Sequence, residues 1–117
     1  MKVNTLRIPV LELTQSAEHY QLILQQAPAF GSADLGYIGF ELENVTLLLE
    51  SAEPGEFEAG RYLGFSLEVE DIHYFYQGAI DRGVEFTGAP VDQPWGGIMT
   101  HIKDCNGNVF SLVQSGR

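Results

Sequence analysis

Residues 63–80, LGFSLEVEDIHYFYQGAI, change period halfway along. Up to Val69 the apolar side chains Phe65, Leu67 and Val69 fall at every second position, the period of a strand with one face on a core. From Ile72 onward they recur at helical spacing, at Ile72, Phe75, Tyr76, Ala79 and Ile80. Asp71 is placed as an N-cap and Gly83 is placed to stop the helix. The same change of period occurs earlier in the chain. Residues 3–10, VNTLRIPV, alternate Leu6, Ile8 and Val10, with Pro9 suited to an edge or to a strand's end. Thr14 is the expected N-cap of a helix carrying Ala17, Tyr20, Leu22, Ile23, Leu24 and Ala27, and Pro28 is expected to end it.

Each strand-helix pair is followed by further strands. Residues 37–42 and 45–50 predict a hairpin turning at Glu43-Asn44, and residues 51–61 predict an aperiodic connecting loop. In the second half, 84–86, 97–103 and 109–113 predict strands. The turn between the last two is Asp104-Cys105-Asn106-Gly107-Asn108, with Asn106-Gly107 suited to positive φ. The first strands superpose at an offset of about 59 residues and the hairpins at about 64. The chain therefore reads as one domain of two βαβββ modules, about 1–55 and 60–117. Modules this small cannot stand alone. The expected fold is α+β, with the two tandem modules forming a curved mixed sheet around a cleft.

Composition narrows the partners. The 117 residues carry 16 Asp+Glu against 6 Lys+Arg, a net charge of −10, which repels phosphate backbones and anionic lipid and favours a cationic ligand. Residues 1–59 hold 9 acids and 2 bases (−7), and residues 60–117 hold 7 acids and 4 bases (−3). The single cysteine, Cys105, rules out an intramolecular disulfide and a Cys-rich zinc site and suits a reducing compartment. The longest apolar run, Leu47-Leu48-Leu49, is far too short to span a bilayer, and no signal peptide is read. These features predict a cytoplasmic protein that binds neither nucleic acid nor membrane.

The repeated pattern, Ser16-xx-His19-Tyr20, Val69-Glu70-Asp71-Ile72, Pro94-Trp95-Gly96-Gly97 and the 104–108 turn resemble the vicinal oxygen chelate superfamily of glyoxalases, extradiol dioxygenases, fosfomycin-resistance transferases and bleomycin-resistance proteins. The late turn of that family is usually Asp-Pro-Asp-Gly-Asn, and Cys105 and Asn106 depart from it. The resemblance implies four strand positions that ligate a divalent metal with His, Gln or Glu. They fall on Thr5, Gly64, Ser111 and Leu47, or on Leu49 if the register slips. None carries a suitable donor, so no metal and no cofactor is expected. The family also implies a homodimer.

Other residues are read as a ligand site. His101 falls where the fosfomycin-resistance branch has a ligand-contacting tyrosine. Strand alternation puts it with Met99 on the cleft face, as a polar contact or a general base. Arg7 lies opposite Leu6 and Ile8, where a charge needs a partner, and the repeat offers Glu68, with Ser66 nearby. Tyr37, Trp95 and Met99 are candidate pocket walls. His19, His73 and Cys105 are given no role, and the acids of 50–58 are read as solvated. The candidate ligand-binding set is therefore Thr5, Arg7, Tyr37, Glu68, Trp95, Met99, His101 and Ser111. The expected function is metal-free sequestration of a cationic or aromatic small molecule, resembling the bleomycin-resistance branch. The alternatives are a glyoxalase-like lyase or dioxygenase with displaced ligands, His101 and Glu68 or Glu50 substituting, and a metal-free enzyme using His101 as acid/base.

Overall fold

Alternation in the first half builds a sheet whose two faces differ sharply. In the computed structural model, which describes residues 1–116, the first compact unit spans Met1–Gly60. It contains β1 (Thr5–Val10), α1 (Leu13–Leu24), β2 (Phe30–Ser32), β3 (Tyr37–Glu41) and β4 (Thr46–Ser51). The strand order is β1-β4-β3-β2, with β1 parallel to β4 and the remaining pairs antiparallel. Ile8, Val10, Leu47, Leu49, Ile38 and Phe40 are buried on one face, against the Leu13, Ala17, Tyr20 and Ile23 stripe of α1. Each of these larger side chains contributes about 1.5–3 kcal/mol on full burial. The Tyr20 and Phe40 rings meet at 6.4 Å between centroids.

Two helix boundaries differ from expectation. The N-cap is Glu12, not Thr14, because the Glu12 carboxylate accepts the amide hydrogen of Gln15 at 2.8 Å. The helix ends at Leu24, before Pro28 can act, because Gln25 takes a left-handed conformation (φ 56°) and donates its N–H back to the Gln21 carbonyl. Leu24 is half-buried and Ala27 is exposed, so the stripe has run out by there. The short β2 was not expected. Phe30 lies opposite Gly39, and only a residue without a Cβ leaves room for its ring.

The second unit, from Arg61 onward, repeats the plan. It holds β5 (Tyr62–Glu68), α2 (Ile72–Asp81), β6 (Glu85–Phe86), β7 (Val91–Asp92), β8 (Ile98–Lys103) and β9 (Val109–Gln114). The order is β5-β9-β8-β6 with β7 also beside β8, and β5 is parallel to β9. The architecture is thus α+β, with two mixed sheets and two helices. Asp71 caps α2 as expected, its carboxylate accepting from the Tyr74 N–H at 3.1 Å. Thr100, Ile102, Phe110 and Leu112 are buried on the face that carries α2, where Tyr76 meets Phe86 edge-on at 4.7 Å. The unexpected β7 forms because Val91 and Asp92 pair with Met99 and Ile98.

The 104–108 turn is held by its own side chains. Asp104 Oδ1 accepts from the backbone N–H groups of Asn106 (2.8 Å) and Asn108 (2.9 Å), and Asn108 Nδ2 donates to Asp104 Oδ2 (3.1 Å). Positive φ is confined to Gly107, and Asn106 does not share it, because the carboxylate already organises the backbone on either side. No described helix is long and apolar enough to cross a membrane.

Candidate functional site

In the first unit, the face away from α1 is set by the strand register. Paired residues share a face, so Arg7 on β1, Leu48 on β4, Gly39 on β3 and Phe30 on β2 form one row. Pro9, Glu50, Tyr37 and Ser32 form the next, and Thr5, Thr46 and Glu41 the one before. The structure therefore brings Thr5, Arg7 and Tyr37 onto one sheet face. The Phe30 ring occupies the space where a Gly39 Cβ would stand, and it meets the Tyr37 ring at 6.2 Å between centroids.

Arg7 has a partner within its own unit. Its Nε donates to Glu50 Oε1, diagonally across the β1-β4 pair, at 2.5 Å. Its guanidinium carbon lies 4.5 Å from the centroid of the Phe57 ring. Phe57 comes from the stretch read as an aperiodic solvated loop. That stretch is in fact folded, because Glu53 and Phe57 exchange backbone hydrogen bonds of 2.8 Å each. The Glu58 carboxylate also accepts from the Gly55 N–H at 3.0 Å. Two of the acids expected to be merely solvated, Glu50 and Glu58, are thus engaged. Phe57 was missed because one aromatic among turn formers and acids has no periodicity to report it.

The expected metal position on β4 is also corrected. Leu47 and Leu49 are wholly buried on the α1 face, and the residues that share a face with Thr5 and Arg7 are Thr46, Leu48 and Glu50. An aliphatic side chain still stands beside Arg7, and the nearest carboxylate on that face is the one paired with it.

In the second unit, β5, β9 and β8 align Ser66, Ser111 and His101 in one row, with Glu68, Val113, Met99 and Val91 in the next. Glu68, Met99, His101 and Ser111 thus share a face, the one away from α2. Tyr62 meets His101 edge-on at 6.4 Å between ring centroids. Tyr62 reaches it because the β5-β9 register shifts between Tyr62 and Ser66, where Gly64 adopts φ 79°. A side chain at Gly64 would be strained there. Trp95 is 56% exposed and its ring fills the Cβ direction of Gly97, at the start of β8. By strand alternation that direction is shared with Met99 and His101.

The donor chemistry of the four implied metal positions is two hydroxyls (Thr5 and Ser111), an aliphatic side chain on β4 and a glycine (Gly64). That set does not fit a divalent cation. Among the described residues no group of three or more His, Cys, Asp or Glu is placed to hold one.

A sequence profile of the Glyoxalase/Bleomycin resistance protein/Dioxygenase superfamily matches residues 4–112. No curated protein matches the chain. Among solved structures, a superfamily member from Sphaerobacter thermophilus DSM 20745 is 28% identical with a TM-score of 0.84, over 98% of both chains. A glyoxalase/bleomycin resistance protein from Catenulispora acidiphila DSM 44928 is 19% identical with a TM-score of 0.77, over 98% of this chain and 99% of the other. TnmS3, described as an antibiotic binding protein from Streptomyces sp. CB03234, is 21% identical with a TM-score of 0.74, over 97% of this chain and 95% of the other. The chain belongs to the Glyoxalase/Bleomycin resistance protein/Dioxygenase superfamily.

Proposed function

We propose that this superfamily member is a metal-free binding protein that sequesters an aromatic small molecule. The observation that carries the reading is common to both sheets. On the face away from its helix, each presents an exposed aromatic ring laid over a glycine, Phe30 on Gly39 and Trp95 on Gly97. Hydrogen-bonding side chains lie on the same face as each ring, Arg7 and Glu50 in one unit and His101, Ser66 and Ser111 in the other. Flat apolar surface with a few fixed polar groups is what recognition of a planar organic molecule requires. The antibiotic-binding description of one structural neighbour points the same way. The reading takes the protein as a cytoplasmic homodimer, and light scattering of the purified protein tests the dimer.

The test is a titration of purified protein with bleomycin and with planar aromatic compounds, following the single tryptophan, Trp95. Saturable quenching with unchanged ligand mass is expected. A flat response to all of them overturns the reading. Glu50, on the same β4 face as Leu48, favours a rival glyoxalase-like enzyme with displaced ligands. Metal analysis of protein purified without chelator separates the two, since stoichiometric nickel, zinc, manganese or iron supports the rival.

A further inference from the structure

We infer that Glu50 and Phe57 hold Arg7 as a fixed two-donor fork, which takes a planar pair of oxygen acceptors on an aromatic ligand. Those acceptors are a carboxylate, or a carbonyl beside a second oxygen. The inference deepens the binding reading above and rests on it.

A guanidinium carries five N–H donors in one plane. Glu50 engages the Nε side, and the guanidinium carbon lies over the Phe57 ring. No further side-chain hydrogen bond runs from Arg7 to a described residue, and the side chain is 58% exposed. An arginine alone on an open strand would sample many rotamers. Here two partners fix it from different directions, so little freedom remains to be lost on binding. The reciprocal Glu53–Phe57 backbone bonds fix the ring in turn. Phe57 is therefore a positioning residue, acting through Arg7.

The neighbours define the rest of the ligand. In register with Arg7 lie Leu48, then Gly39, then Phe30, whose ring folds back over Gly39. Three inter-strand steps of about 4.8 Å give a floor long enough for two or three fused rings. The site thus discriminates against the cation that the net charge of −10 attracts at long range. A ligand ammonium in this row meets Arg7, and an oxygen pair meets its open edge.

The test uses three probes with one ring system: 2-naphthoate, 2-naphthamide and 2-naphthylmethylammonium. Binding is measured by calorimetry and by the Nε–H resonances of the four arginines, on wild type and on Arg7→Lys, Phe57→Leu and Phe57→Tyr. Naphthoate is expected to bind and shift the Arg7 resonance, with the naphthamide, which offers one oxygen and an N–H donor, and the ammonium each about tenfold weaker. Arg7→Lys, which loses the planar fork, is expected to cut naphthoate affinity about tenfold. Phe57→Leu is expected to cut it about two- to fivefold, and Phe57→Tyr to restore it. Thermal melts show that each variant is folded. Probes that bind while the Arg7 resonance stays still, or an amide or ammonium that binds as well as the naphthoate, overturn the inference and leave the binding reading standing. If no probe binds, the inference falls, and the bleomycin titration decides whether the wider reading falls with it.

Discussion

Alanine at Gly39 and alanine at Gly97 are the same chemical change beneath an aromatic ring, yet their consequences should differ. A Cβ at Gly39 would stand 2.1 Å from Phe30 Cζ, and its three nearest atoms all belong to that ring. Phe30 is 43% exposed and can swing away. Gly39 needs no positive φ, so alanine recovers roughly 0.5–1 kcal/mol of chain entropy. That gain offsets most of the packing energy the displaced ring gives up, and the net change stays within about 1 kcal/mol. A Cβ at Gly97 would stand 1.8 Å from Trp95 Cζ3 but also 2.6 Å from the backbone oxygen of Gln114. Gln114 is the β9 partner of Ile98, so moving it opens the last rung of the central β8-β9 pair. Overpacking of that kind costs about 1–3 kcal/mol. For a chain of this size each kcal/mol is worth about 4 °C in Tm. Gly97→Ala is therefore expected to melt about 8 °C below Gly39→Ala, by calorimetry and by urea titration. Equal melting temperatures would refute the distinction between a yielding side chain and an unyielding strand. Gly39→Ala then becomes the clean functional probe, a folded protein with Phe30 displaced from the face. On the binding reading it loses affinity for aromatic ligands.

Three further outcomes follow from local geometry and are read by chemical denaturation. Asp104→Ala leaves the N–H groups of Asn106 and Asn108 without their side-chain acceptor in a buried turn and is expected to cost about 3 kcal/mol, with Asp104→Asn costing less because one oxygen remains. Glu12→Ala removes the cap of α1 and is expected to cost about 1 kcal/mol, whereas Thr14→Ala stays within about 0.5 kcal/mol; the reverse order would restore Thr14 as the cap. Gln25→Gly relieves a left-handed residue at the C-terminus of α1 and is expected to stabilise by about 0.5 kcal/mol, the strain relieved exceeding the added chain entropy.

The elements that alternate or wind over many residues were legible from the sequence, because burial imposes their period. This holds for β1, both helices, the β3-β4 hairpin and the β8-β9 hairpin. The helix cap shows where the signal lay unused. Glu12 falls 59 residues before Asp71, the offset that aligns the two first strands, and both residues cap. The repeat itself therefore named Glu12, and the general preference for threonine at caps outweighed it. The strands β2 and β7 span three and two residues, too few for a period. Their presence is set by partners elsewhere in the sheet, Gly39 for Phe30 and Met99 for Val91. Phe57 was hidden for a related reason. Its position depends on a five-residue backbone loop closing on itself, and composition alone reads that loop as solvated acid.

On β4 a one-residue shift of register changes the chemistry of the face. The side-chain period of a strand is two, so naming Leu47 or Leu49 in place of Leu48 puts the residue on the wrong face. The donor chemistry survives the correction, since all three are leucine. The consequence lies two residues on, where the corrected face carries Glu50, the carboxylate that the displaced-ligand alternative names. On that face Arg7 opposes a metal, because it holds the Glu50 carboxylate with Nε and sets a full positive charge where a cation would approach. Arg7 thus stands between the two readings of the site. With it in place, Glu50 is a positioning group for a ligand's oxygen pair. Without it, Glu50 becomes a free carboxylate on the same face as the Thr5 hydroxyl.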